Sequence, residues 1–187
     1  RLGLSAGIPV LVGAGDYPTA LLGSGAFEAG MGSDVTGTST IMTLIHHKPV
    51  MHPNVSNLLE PSGNWGSFTL LDAGGDAMRW ARRAFHQNRR SYDEVTDAAI
   101  GAKAGANSLF FLPYLNGERF SNAPNSRAQF FGLTSEHGLG ELHRSILEGV
   151  AFSVRLRLDV LQGSTGRPEL FIASSGGAKS KLWLEIK

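Results

Sequence analysis

Apolar positions first gather in "GIPVLVGAG" at residues 7–15, a β-branched run closed by glycine that predicts a buried strand. Pro18 and the run Ala20, Leu21 and Leu22 predict a short helix that ends at Gly23–Gly25. "DVTGTSTIMTLIHHK" at 34–48 is rich in Thr and Ile with rough alternation, which predicts two strands around a turn at Gly37. "NWGSFTLL" at 64–71 reads as another strand, followed by a glycine turn and then a helix in "DAGGDAMRWARRAFHQ". The same order returns in "ELFIASS", "GGA" and "KSKLWLEI" at the end of the chain. Strand, glycine turn and helix in succession predict an α/β fold.

The longest periodic stretch lies between these units. Leu142, Ile146, Val150, Val154 and Leu158 recur at i+4, joined by Leu147, Ala151 and Leu161, and predict a helix whose stripe packs on a sheet. Arg144 with Glu148, and Arg155 with Asp159, are opposite charges four apart and read as a solvated face. Gly149, inside this helix, predicts the close approach of another backbone.

Composition narrows the classes. An apolar share of 42% with 18% charged residues is ordinary for a globular protein, and a formal net charge of +1 leaves no basic footprint for nucleic acid. Cysteine is absent, which removes disulfides and thiolate metal sites and makes the cytoplasm the default expectation. The longest apolar run, "LFFLPYL", is far shorter than the ~20 residues a membrane-spanning helix needs. The first residue is not Met and the last residues run through a helix without a C-cap signal, so a piece of a longer protein is expected.

The six histidines show no metal-ligand spacing and are expected at the surface. "NVS" at 54–56 matches a glycosylation acceptor by pattern only, and "GGAKS" fails as a phosphate loop because Ala178 stands where the glycine before lysine is needed. Glycine, 24 residues of 187, clusters instead in turns: Gly13–Asp16, Gly74–Asp76 and Gly176–Ala178, with "TGTST" at 36–40 beside them. Free backbone N–H groups at such strand-to-helix turns suit phosphate, so together they favour a nucleotide site. Asp16 follows the first run, where ligands of α/β sheets tend to sit; from pattern alone it is either a helix cap or a catalytic carboxylate.

Four ordered segments carry a resemblance: "GIPVLVGAGDYPTALLGSGAFEAGMGSDVTGTSTIM", "FFLPYLNGERFSNAPNSRAQFFGLTSEH", "LEGVAFSVR" and "SSGGAKSKLW". Together they resemble the FGGY family of carbohydrate kinases, most of all its xylulose and related pentulose kinases. The resemblance implies an actin-like, ribonuclease H-like ATPase lobe with a mixed sheet flanked by helices. It assigns residues 1–28 to the end of a sugar-binding lobe and 29–187 to most of a nucleotide-binding lobe. It implies ATP and Mg²⁺ as cofactors, a small sugar as substrate, no nucleic acid or membrane partner, and a homodimer as an option.

By the same resemblance Asp16 is the base toward the sugar hydroxyl, and Tyr17 stands where relatives commonly carry an Asn or Gln that touches the sugar. Gly37 and Thr38 match the turn that faces the ATP phosphates. Gly75, Met78 and Arg79 border the nucleotide, while Gly176, Gly177, Ala178 and Lys181 match the loop against the adenosine. No protein metal ligand is expected. The chemistry is consistent, since phosphoryl transfer requires positioning, charge neutralisation and one carboxylate, without a covalent nucleophile. Other readings are a noncatalytic actin- or chaperone-like ATP-binding module, and a family kinase for gluconate or glycerol. A glycosidase would need a second acid at ~5 to 9.5 Å, and the sequence nominates none.

Overall fold

A computed structural model describes residues 3–118, 123–163 and 166–187, so part of the second resembling segment, residues 119–122, lies outside the described residues. Helix α1 (Asp16–Ser24) leads into the hairpin β1 (Met31–Thr36) and β2 (Thr40–His46), whose turn contains Gly37 as the alternation implied. A second hairpin, β3 (Ser56–Leu59) and β4 (Trp65–Leu71), precedes α2 (Gly74–His86) and α3 (Tyr92–Asp97). The short pair β5 (Phe110–Leu112) and β6 (Gln129–Phe131), the long α4 (Leu139–Gln162), β7 (Leu170–Ser174) and α5 (Lys181–Ile186) complete the order. The main sheet runs β3-β4-β2-β1-β7, antiparallel except for the parallel pair β1 and β7. It is a mixed sheet with helices on both faces.

The two faces follow from strand alternation. Met42 and Leu44 of β2 join Leu71, α2, α4 and Trp183 in the larger core, while Ile45 joins Leu21 and Ala26 in a smaller core under α1. Helix α1 ends because Gly25 takes the left-handed conformation at φ 88°, with the Ala26 N–H on the Leu21 carbonyl and the Gly25 N–H on that of Leu22.

The stripe on α4 lies in the larger core through Ile146, Leu147, Val150, Val154 and Leu161. Gly149 meets the backbone the sequence implied: a Cβ there would lie 2.1 Å from the Phe111 carbonyl oxygen of β5. The paired charges divide. Arg155 and Asp159 are exposed, but Glu148 is buried and Arg144 partly so, with side chains 8% and 13% exposed. Glu148 accepts from Arg144 Nε at 2.6 Å and from the Gly105 N–H at 3.0 Å, so a neighbouring loop closes over that face and satisfies the carboxylate.

Two further expectations are corrected. Residues 7–15 form no strand; Val10, Leu11 and Val12 are 91%, 88% and 99% exposed, because no neighbour among the described residues pairs their backbone. His143 is fully buried and not at the surface, with its Nε2 2.8 Å from that of His86 and its ring stacked on the same residue. Burial, reinforced by His86, lowers His143 to about 4. No helix among the described residues is long and apolar enough to cross a membrane.

Candidate functional site: a glycine-walled cleft

Glycine brings three distant segments together at one end of the sheet. The N–H groups of the second and third residues of α2 donate to the β1–β2 turn, Gly75 to the Gly37 carbonyl and Asp76 to that of Thr38, each at 2.9 Å. Side chains would prevent this docking: a Cβ at Gly74 would lie 2.1 Å from Thr40 Oγ1, and one at Gly75 would lie 2.1 Å from the Gly37 oxygen. These glycines therefore serve helix packing, and the Gly75 and Asp76 N–H groups are not free for phosphate as the turn pattern had implied. On the other side, Gly177 packs on Thr36, where a Cβ would come within 2.6 Å of the threonine Cβ.

Between these contacts opens a cleft of about 410 Å³ beyond the carboxyl ends of β1 and β7, the usual ligand position in α/β sheets. Gly37, Thr38, Gly75, Met78, Arg79, Gly176 and Gly177 all line it. Ala178 and Lys181 do not; Lys179 and Ser180 take their place, and exposed Lys181 reaches Glu185 at 3.7 Å. The wall also contains Tyr92, Asp93, Thr96 and Trp183, which the sequence reading did not nominate. A signal for the first three was present in the capping box Ser91–Glu94, which starts α3 at the cleft edge.

Two charges at the cleft, Asp76 and Arg79, pair with each other. Asp76 accepts from Arg79 Nε at 2.7 Å and from Asn116 Nδ2 at 3.2 Å. Beneath the wall, Lys187 Nζ donates to Asp34 at 2.7 Å and Thr36 at 2.6 Å; burial pulls its amine down while Asp34 pulls it up. Trp183 donates its indole N–H to the Leu147 carbonyl at 3.2 Å, which fixes α5 against α4. Ser175, also on the wall, sits at φ 70° and ψ −160°, a region suited to glycine and costly for other residues.

Asp16 and Tyr17 lie elsewhere, on α1 over the other face of the sheet. Gly15, not Asp16, is the N-cap, and the exposed Asp16 carboxylate accepts the Tyr17 N–H at 2.8 Å. Tyr17 turns inward: its hydroxyl meets Thr43 Oγ1 at 2.5 Å and its ring stands 5.5 Å from Phe68. Burial raises the phenol to about 12.

Residues 33–187 match the C-terminal domain of the FGGY family of carbohydrate kinases. The chain belongs to this family. It is 29% identical to the xylulose kinase of Escherichia coli over 96% of its length, and 27% identical to that of Staphylococcus epidermidis over its whole length. The FGGY chain spans 37% and 38% of those two relatives. The crystal structure of xylulose kinase from Rhodospirillum rubrum superposes with a TM-score of 0.85 at 27% identity, covering 98% of this chain and 38% of that one. Plasmodium falciparum glycerol kinase with ADP superposes at 0.80 and 17% identity, covering 91% of this chain and 35% of that one, a likeness of fold alone. The mixed sheet and these neighbours agree with the actin-like lobe that the resemblance implied.

Proposed function

We propose that the full-length protein carrying this chain is an ATP-dependent kinase for a sugar hydroxyl, a pentulose such as xylulose. The observation that carries the reading is the cleft. Seven residues that the family resemblance tied to the nucleotide, from three separated segments, all line it. Its volume of about 410 Å³ falls within the ~300 to 1,000 Å³ usual for small-molecule sites. In this reading Gly37 and Thr38 face the phosphates, and Gly75, Met78 and Arg79 border the nucleotide. Gly176 and Gly177 lie against the adenosine, with Ala178 and Lys181 at the margin of that loop.

Asp16 is the base. It takes the proton as the sugar oxygen bonds to the γ-phosphorus, while the bond from that phosphorus to the bridging oxygen breaks and ADP leaves. Mg²⁺ neutralises phosphate charge when bound. The described residues contain no cluster of three metal-ligating side chains. Asp76 and Asp93 are the carboxylates on the cleft wall that could approach it. Residues 1–28 would close the sugar-binding lobe and 29–187 would form the nucleotide lobe.

The test is ADP release by the full-length protein with Mg-ATP and xylulose, ribulose, gluconate or glycerol. The proposal expects release that depends on the sugar and is fastest with a pentulose. Preference for gluconate would support the second reading, which the 28% identity to a Bacillus subtilis gluconokinase favours. ATP binding without ADP release for any of the four would point to a noncatalytic module.

A further inference from the structure

Tyr17 combines three features that a sugar contact does not need. Its side chain is turned into the smaller core beside Leu21, Ala26 and Ile45, and its ring packs on Phe68. Its hydroxyl bonds Thr43, a fully buried residue in the middle of the central strand β2. Its backbone N–H binds the carboxylate of the preceding Asp16. One residue thus grips the sheet of the nucleotide lobe with its side chain and the candidate base with its main chain.

We propose that Tyr17 is a positioning residue, a strut that fixes the Asp16 carboxylate relative to the nucleotide lobe, and that it does not contact the sugar. This rests on Asp16 being the base. The physical reason lies in the helix itself. The first turn of α1 has no side-chain cap, since Gly15 supplies none, and residues 8–14 before it are exposed and unpaired. Tyr17 is the first residue of the helix to reach the sheet. Glu60 and Asp34 are the charged groups whose fields reach the phenol; both disfavour its ionisation, so it remains a neutral donor or acceptor toward Thr43.

A strut and a sugar contact differ in kinetics. Misplacing a reacting group by ~1 Å costs ~10²-fold in rate, whereas loss of a ground-state sugar contact raises KM. In the full-length protein, Tyr17→Phe keeps the ring and removes only the hydroxyl, and Thr43→Val removes the other half of the bond. Rates are measured per nucleotide-binding site, titrated by calorimetry, so that lost folding does not enter kcat. The proposal expects each variant to lower kcat by roughly 10- to 100-fold with sugar KM within about twofold, and the double variant to be no worse than the poorer single. A raised sugar KM with unchanged kcat in Tyr17→Phe, or multiplying effects in the double variant, would overturn it. Unchanged constants in both singles would also overturn it and leave Tyr17 as packing alone. Asp16→Asn is measured alongside: if it retains full activity the base assignment fails, whatever the tyrosine variants do.

Discussion

Glu60 offers a stability prediction with a definite sign. It follows β3, is 3% exposed, and neither carboxylate oxygen has a hydrogen-bond partner among the described residues. The carboxyl lies over Gly66, where a Cβ would come within 2.8 Å of Oε1. Burial raises its pKa from 4.5 to about 7. Between those values the folded chain holds a proton that the unfolded chain has released, so stability falls as pH rises. The contribution is fully present below about 4.5 and lost as pH climbs through about 7. At ~1.36 kcal/mol for each pH unit between them, the loss levels off at about 3 kcal/mol. Glu60→Gln keeps the shape and removes the ionisation. Urea unfolding of the 187-residue chain, followed by tryptophan fluorescence, should show the variant level with the parent near about pH 4.5 and more stable by about 3 kcal/mol near about pH 8.5. A difference that stays constant across this range would refute the argument that the carboxylate is buried without a partner.

His143 acts with the opposite sign: its pKa is lowered from 6.5 to about 4, so stability is lost as pH falls through that window. The two effects offset one another in the parent, and His143→Asn should become more stable relative to it by up to about 3 kcal/mol between pH 6.5 and 4 in the same unfolding series. Ser175→Gly should stabilise the chain by ~1 to 3 kcal/mol, because φ 70° with ψ −160° costs glycine little; equal midpoints in urea would mean that serine is unstrained. Gly177→Val should weaken ATP binding and leave sugar affinity unchanged in calorimetric titrations of the full-length protein, since a Cβ would press within 2.6 Å of Thr36 and deform the wall. Equal ATP affinities would make that loop an ordinary turn.

Local pattern was sufficient where the deciding contacts are local. The turn at Gly37 and the stripe on α4 are written in alternation and in i+4 spacing, and Gly149 betrayed its neighbour because glycine inside a helix is costly. The failures share one cause, which is that burial of a polar group depends on what comes from elsewhere in the chain. Glu148 looks solvated until the Gly105 N–H reaches it, and His143 looks superficial until α2 brings His86 alongside. Conversely, "GIPVLVGAG" has the pattern of a buried strand, yet a strand exists only beside another. At the cleft, the clustering of glycine led to the turns, but their packing duty, with Gly75 and Asp76 donating to Gly37 and Thr38, was visible only in three dimensions. Tyr17 shows the same limit, since its partner Thr43 is 26 residues away.

The central claim is that Asp16 removes a proton from a sugar hydroxyl while the cleft holds ATP. The most direct measurement is Asp16→Asn in the full-length protein, with sugar-dependent ADP release and ATP affinity read on the same preparation. General-base loss of ~10² to 10⁴-fold in kcat, with ATP affinity unchanged, is the outcome expected. A rate within about threefold of the parent, well short of what loss of a general base costs, would contradict it.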